Sequence, residues 1–282
     1  MKIDLREIPC FGIAGNFTGH LEQAGEADSF KNVKTSSENE PKAVFPTYIP
    51  YKDEAIPEFL NIFPFSSRAI VFPEENGEEQ NLQIESECAI VFDVVWENDK
   101  ISALKPLAFA AGNDCSIRRK GPSKISWKKN WGANTKGFSS NSIPLDSFSP
   151  DGNISKYRIK SFLIRDGSLY EYGEDSRISD YSYIYQKLLD WLVKKINEQT
   201  DFESAENVLS YLQKASNPSK IMVSIGATRY TDFGQKNFLK KGDFAAVILY
   251  PEDKYSGKDI EDLLRKKDYS ASDISFLLQE IV

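Results

Sequence analysis

The stretch from Leu82 to Phe92, Leu-Gln-Ile-Glu-Ser-Glu-Cys-Ala-Ile-Val-Phe, constrains this chain more than any other. Apolar and β-branched residues dominate it and nothing breaks it, so it reads as a strand. Side chains alternate faces along a strand, which points Glu85 and Glu87 the same way. Two carboxylates on one face of an apolar strand repel each other and resist losing water. Three arrangements tolerate them: continued solvation, a proton on one of them, or a cation between them. A hard divalent cation with oxygen ligands is one form of the third. Polar pieces that would complete such a site follow downstream, in Gly112-Asn113-Asp114-Cys115-Ser116-Ile117-Arg118 and Asn134-Thr135-Lys136-Gly137-Phe138.

The rest of the composition narrows the class. The 282 residues are 40% hydrophobic and 27% charged, an ordinary globular balance with length enough for a large core. A formal net charge of −7 argues weakly against a nucleic-acid or anionic-membrane surface. The densest basic runs are Arg118-Arg119-Lys120 and Lys128-Lys129, the second flanked by Trp127 and Trp131. Being short, they read as solvated loop rather than as a nucleic-acid patch. Cys10, Cys88 and Cys115 lie far apart, odd in number and without a C-x-x-C pair. That pattern predicts buried thiols in a reducing compartment. The first residues lack an apolar signal core, and no apolar run approaches the ~20 residues that cross a bilayer. The expectation is a cytoplasmic protein.

Taken in order, residues 8–14 read as a short apolar strand that runs into Gly15-Asn16-Phe17-Thr18-Gly19-His20, with a short helix before Gly25. His20 is the only histidine, and so either a titrating base near neutral pH or a lone histidine in a surface loop. Residues 28–43 are polar and read as a loop or lid, and 44–73 as proline-rich extended segments with a helical turn at Phe59-Leu60. Asn76-Gly77, Asn98-Asp99 and Asp166-Gly167 mark tight turns and hence antiparallel pairing. Apolar residues at helical spacing predict a helix over 180–198, capped by Ser179, and a shorter one over 202–214. Strands follow at 220–225 and 243–250, then two short amphipathic helices over 256–282.

The order of these pieces resembles the fumarylacetoacetate hydrolase superfamily along nearly the whole chain. The resemblance is carried by Gly15-Asn16-Phe17 with His20, Glu85-Ser86-Glu87, Asn113-Asp114-Cys115-Ser116-Ile117-Arg118, Lys136-Gly137-Phe138, Gly226-Ala227-Thr228 and Leu239-Lys240-Lys241-Gly242-Asp243. It implies an α+β fold, a mixed β-sandwich roll with peripheral helices, expected to span residues 1–250, with 251–282 read from its own periodicity as a helical extension. It implies a homodimer and Mg²⁺ or Mn²⁺, with Ca²⁺ as a further option, held by Glu85, Glu87 and Asp114. It also implies a small oxoacid substrate, and a hydrolase or decarboxylase acting on a C–C bond through an enolate. Lys136 would steady the oxyanion, Arg118, Ser116 and Thr228 would bind substrate, and His20 would act as general base.

The chain departs from the family pattern at three places. Gln23 stands where family hydrolases pair the histidine with a glutamate, which leaves Glu22, or Glu26, to take that part. Gly121 falls near a family glutamine, and Ala227-Thr228 replaces a Thr-Pro. The same residues also fit a catalytically silent relative that binds a metal–oxoacid ligand.

Overall fold

The computed structural model describes residues 2–282 except 31, 32, 34, 76, 77 and 119–123, with backbone alone at 28, 29, 74, 75, 78 and 79. The Asn76-Gly77 turn, Gly121 and part of the expected lid fall outside the described residues. The first strands are β1 (Cys10–Ala14) and β2 (Ala43–Tyr48), then the two-residue β3 (Phe65–Ser66), β4 (Ala69–Ile70), β5 (Glu74–Glu75), β6 (Glu78–Glu79) and β7 (Leu82–Gln83). Next come the long β8 (Ser86–Glu97) and β9 (Lys100–Asn113), then β10 (Ser116–Ile117), β11 (Lys136–Phe138) and β12 (Ile143–Pro144). The last are β13 (Tyr157–Arg165), β14 (Ser168–Arg177), β15 (Lys220–Ala227), β16 (Phe244–Pro251) and β17 (Ser275–Ile281). Helices are α1 (His20–Gln23), α2 (Ile125–Lys129), α3 (Tyr185–Glu198), α4 (Val208–Lys214), α5 (Asp232–Lys236) and α6 (Gly257–Lys266).

Two sheets form the body. One runs β2-β1-β15-β8-β9-β11-β3 with β12 beside β9, and the other runs β14-β13-β16-β17-β4. Both contain parallel and antiparallel pairs. The main core lies between them, with Cys88, Ile90, Phe92, Phe109 and Ala111 from the first sheet against Ile159, Leu163, Val247, Leu249 and Leu277 from the second. Strand β16 shows the two-residue period that makes this possible. Ala245, Val247 and Leu249 face the first sheet, while Ala246, Ile248 and Tyr250 face Ile260 and Leu264 of α6. This is the expected α+β sandwich with few, peripheral helices. The weaker turn signal, Asn98-Asp99, joins the two longest strands, with both residues at positive φ. Asp166-Gly167 closes β13 on β14 in the same way.

Two expectations are corrected. The helix over 180–198 starts only at Tyr185. Asn16 holds the preceding residues extended: its amide donates to the Tyr183 carbonyl at 3.0 Å and its oxygen accepts from the Tyr183 N–H at 2.9 Å. Ser179 lies in a 3-10 turn, Ile178–Asp180, instead of capping the helix. The tail is also different: α6 is helical as expected, but Ser275–Ile281 is a strand between β16 and β4. Its buried residues are Ser275, Leu277, Gln279 and Ile281, a period of two. The segment past residue 250 is therefore helical only in part, and its last strand belongs to the second sheet. All three cysteines are buried and free, as expected. No helix among the described residues is long and apolar enough to cross a membrane.

Candidate functional site

Glu85 sits in the short break between β7 and β8, and Asp114 in the matching break between β9 and β10. The ladder resumes on both sides of the gap, pairing Gln83 with Ser116 and Ser86 with Asn113. Across the gap the Asp114 N–H donates to the Glu85 carbonyl at 3.0 Å, and the Glu85 N–H donates to Asn113 Oδ1 at 3.1 Å. These bonds fix both carboxylates at the same end of the first sheet, beside Glu87 on β8. Glu85, Glu87 and Asp114 are buried, and each offers an oxygen within 4.8 Å of the others. A bulge in β15 next to Gly226 brings that residue's N–H to Glu87 Oε2 at 3.1 Å. Gly226 has φ of 113°, a conformation that a side chain would strain.

Three cations close on this cluster, and a fourth on Glu26 beside it. Lys129, at the end of α2, places Nζ 2.5 Å from Glu85 Oε2 and 2.6 Å from Asp114 Oδ2. Lys136, opening β11, places Nζ 2.8 Å from Asp114 Oδ1 and donates to the carbonyls of Cys115 at 2.9 Å and Lys129 at 2.7 Å. Arg118 reaches Glu85 Oε1 at 2.7 Å, Glu26 Oε1 at 2.9 Å, the Tyr230 hydroxyl at 2.6 Å and Gln83 Oε1 at 2.6 Å. Lys128 adds a contact to Glu26 Oε1 at 2.8 Å. The solvated-loop reading of Lys128-Lys129 is thus corrected: Lys129 is only 5% exposed and belongs to the site.

The charges act on one another through a dry interior. Burial alone would raise the Glu85 carboxyl, but the Lys129 and Arg118 cations overcome it and hold it well below the usual range. Glu87 goes the other way: burial, then the neighbouring Asp114 carboxylate, pushes it well above that range. Burial opposes the charge of Lys129, yet Asp114 and Glu85 raise it well above an ordinary lysine. The cluster therefore pushes its carboxyls in opposite directions, Glu85 down and Glu87 up.

His20 opens α1 and is buried rather than in a surface loop. Its Nδ1 lies 2.9 Å from the Thr228 carbonyl, which can only accept, so Nδ1 carries the proton. Nε2 then faces the cluster, 3.9 Å from Glu85 Oε1. Glu22 does not join: it is exposed, and Gln23 bonds the Tyr230 backbone through both amide groups. Glu26 is the buried acid that reaches the site, through Arg118 and Lys128. Ser116 turns its hydroxyl onto the Asp114 carbonyl at 2.8 Å, and Thr228 pairs its hydroxyl with Ser86 at 2.9 Å. Both are buried at the edge of the cluster and hold its backbone.

Sequence reasoning missed Lys129 and Tyr230 as members of the site. One signal for Lys129 was present. It lies four residues after Ile125, on the same helical face as a core residue. No pattern pointed to Tyr230, which arrives from the loop after β15.

Residues 26–281 match a family of unknown function, DUF5718. The chain belongs to that family. Curated proteins give no match. Among solved structures, Cg1458 with an inhibitor aligns at 16% identity and a TM-score of 0.53, over 97% of this chain and 76% of its own. 2-Keto-3-deoxy-D-arabinonate dehydratase complexed with magnesium and 2,5-dioxopentanoate aligns at 15% identity and 0.52, over 97% and 72%. A hexagonal crystal form of 2-keto-3-deoxyarabinonate dehydratase aligns at 16% identity and 0.50, over 97% and 72%. Identities this low speak for the fold alone. The α+β fold of this DUF5718 member is accordingly one it shares with these structures. Its three carboxylates are hard oxygen donors of the kind a divalent cation takes, and the group could bind one.

Proposed function

We propose that this protein is a hydrolase or decarboxylase acting on a C–C bond of a small 2-oxoacid or 1,3-dicarbonyl acid through an enolate. The observation that carries this reading is the buried convergence of Glu85, Glu87 and Asp114 with Lys136 and Arg118 on the same carboxylates. The magnesium and oxoacid bound by a protein of the same fold support it. Glu85, Glu87 and Asp114 would hold Mg²⁺ or Mn²⁺, which supplies a Lewis acid to the oxo and carboxylate oxygens of the substrate. Lys136 donates to two backbone carbonyls and sits 2.8 Å from Asp114 Oδ1, so it acts as a fixed positive charge beside the developing oxyanion. Arg118 would orient the substrate carboxylate, taking it in exchange for Glu26 or Tyr230. His20, with Nδ1 committed to Thr228, has Nε2 free to accept a proton from carbon or water. The resemblance further implies a homodimer, and the free, buried cysteines fit a reducing compartment such as the cytoplasm.

A second reading, a silent relative that only binds a metal–oxoacid ligand, is favoured by the saturation of Arg118. Each of its donor nitrogens already has a partner, in Gln83, Glu26, Tyr230 and Glu85.

The test is a panel of oxoacids, oxaloacetate and acylpyruvates included, incubated with and without Mg²⁺ or Mn²⁺ and read by mass spectrometry. Turnover by the wild type that falls about 10²–10⁴-fold in His20→Ala supports the enzymatic reading. Turnover that is unchanged in Glu87→Gln rejects the part given to the carboxylates. No product from any substrate, with ligand-induced thermal stabilisation, selects the silent reading.

A further inference from the structure

The carboxylate cluster already contains a cation of the chain's own. Lys129 Nζ lies between Glu85 Oε2 and Asp114 Oδ2, and 5.2 Å from the centre of the Phe45 ring. An ammonium has three protons to place, and two carboxylate oxygens and a ring face account for them. Glu85 and Asp114 are also two of the three residues that a divalent ion would take. Such an ion sits about 2.0–2.6 Å from its oxygen ligands, which would bring it into contact with the ammonium. We propose that Lys129 is an internal competitor for this cation seat, so that the ammonium and a divalent ion are mutually exclusive occupants.

Several features hold the ammonium in place. Ile125 and Ser126 bury the near end of α2, so the helix is anchored rather than draped over the surface. The Lys129 carbonyl accepts from Lys136 Nζ, which grips the residue at its backbone as well as at its tip. Phe45 can lie beneath the ammonium because its strand partner is Gly12, where a Cβ would meet the ring at 2.4 Å. The negative charge is also already met: Glu26, Glu85 and Asp114 pair with Arg118, Lys128, Lys129 and Lys136 among the described residues. An added divalent ion would meet no surplus of negative charge unless an ammonium left. A tethered cation competes at high effective concentration, because its ejection gains little translational freedom.

This inference rests on the proposed function only in treating the three carboxylates as a cation seat, and it requires no turnover. The test is Mn²⁺ binding to the full chain, read from the paramagnetic resonance of free Mn²⁺ and from thermal unfolding. Lys129→Met is expected to bind Mn²⁺ at least about tenfold more tightly than the wild type, and to gain more in Tm from the ion. Equal affinities, or no binding by the variant, overturn the proposal. Should Lys129→Met fail to fold, Lys129→Gln takes its place, and wild-type crystals soaked in Mn²⁺ give an independent result by anomalous scattering. Either the ammonium or a Mn²⁺ peak between Glu85 and Asp114 is expected, never both. A peak there with Lys129 Nζ still in contact with both carboxylates overturns it. A failed oxoacid panel leaves the Mn²⁺ comparison unaffected.

Discussion

Lys136 illustrates how a single buried charge is tolerated. It is 1% exposed, and its ammonium donates to two backbone carbonyls and sits 2.8 Å from Asp114 Oδ1. Removing it takes the cation from beside Asp114 Oδ1 and the donor from two buried carbonyls. Lys136→Met is therefore expected to lose about 3–5 kcal/mol of unfolding stability, measured by urea denaturation. Glu206 is the opposite case, a buried carboxyl without a cation partner close enough to offset its burial. Burial pushes it from its ordinary 4.5 up to about 7. The folded state then binds the proton more tightly than the unfolded state does, so stability is full below 4.5 and falls as pH rises through 7. Glu206→Gln is expected to flatten that slope and to exceed the wild type at pH 8 by about 1–3 kcal/mol. Denaturation curves at pH 4.5 and pH 8 check it, and an unchanged slope would refute the role given to Glu206.

At the scale of elements, local propensity gave way wherever a distant partner was better. The Tyr181–Ile184 stretch has helical spacing, but Asn16 bonds the Tyr183 backbone, and the Tyr181 hydroxyl donates to the Gly226 carbonyl at 2.7 Å. Asn16 also donates to the Ile225 carbonyl at 2.8 Å, so one side chain ties the start of α3 to the bulged end of β15. Asn16→Ala is expected to cost about 3 kcal/mol, since it leaves several buried backbone groups unpaired. Faster amide exchange at Tyr183, relative to the middle of α3, would locate the loss. The final strand was misread for a related reason. Ile274, Leu277, Leu278 and Ile281 fit a helical stripe, and a short apolar run cannot separate the two periods until its neighbours are known.

At the scale of the molecule, β17 joins the two sheets. Gln279 accepts from Asn113 in β9 at 3.0 Å and donates to the Ser66 carbonyl of β3 at 2.9 Å, while β17 pairs with β16 and β4. A chain ending at residue 270 lacks this strand. It is expected to be unfolded, with no cooperative thermal transition, whereas a packed helical extension could be removed and leave a folded body. A cooperative melt of the truncated chain would reject the account.

What the sequence determined by itself was chemistry that lies close along the chain. The Glu85-Ser86-Glu87 pattern alone left solvation, a proton or a cation open; with the Asp114 segment and Lys136 it carried the resemblance that implied a shared carboxylate site and the α+β class. Those signals survive because ladder register sets the Glu85 break opposite the Asp114 break, although the expected single strand is interrupted at Glu85. The tertiary structure alone decided that Glu26, rather than Glu22, enters the site, that Tyr230 bonds Arg118, and that Lys129 lies between two carboxylates. The reason is physical: a lysine is solvated by default, and only a carboxylate pair delivered from elsewhere in the fold makes its burial favourable.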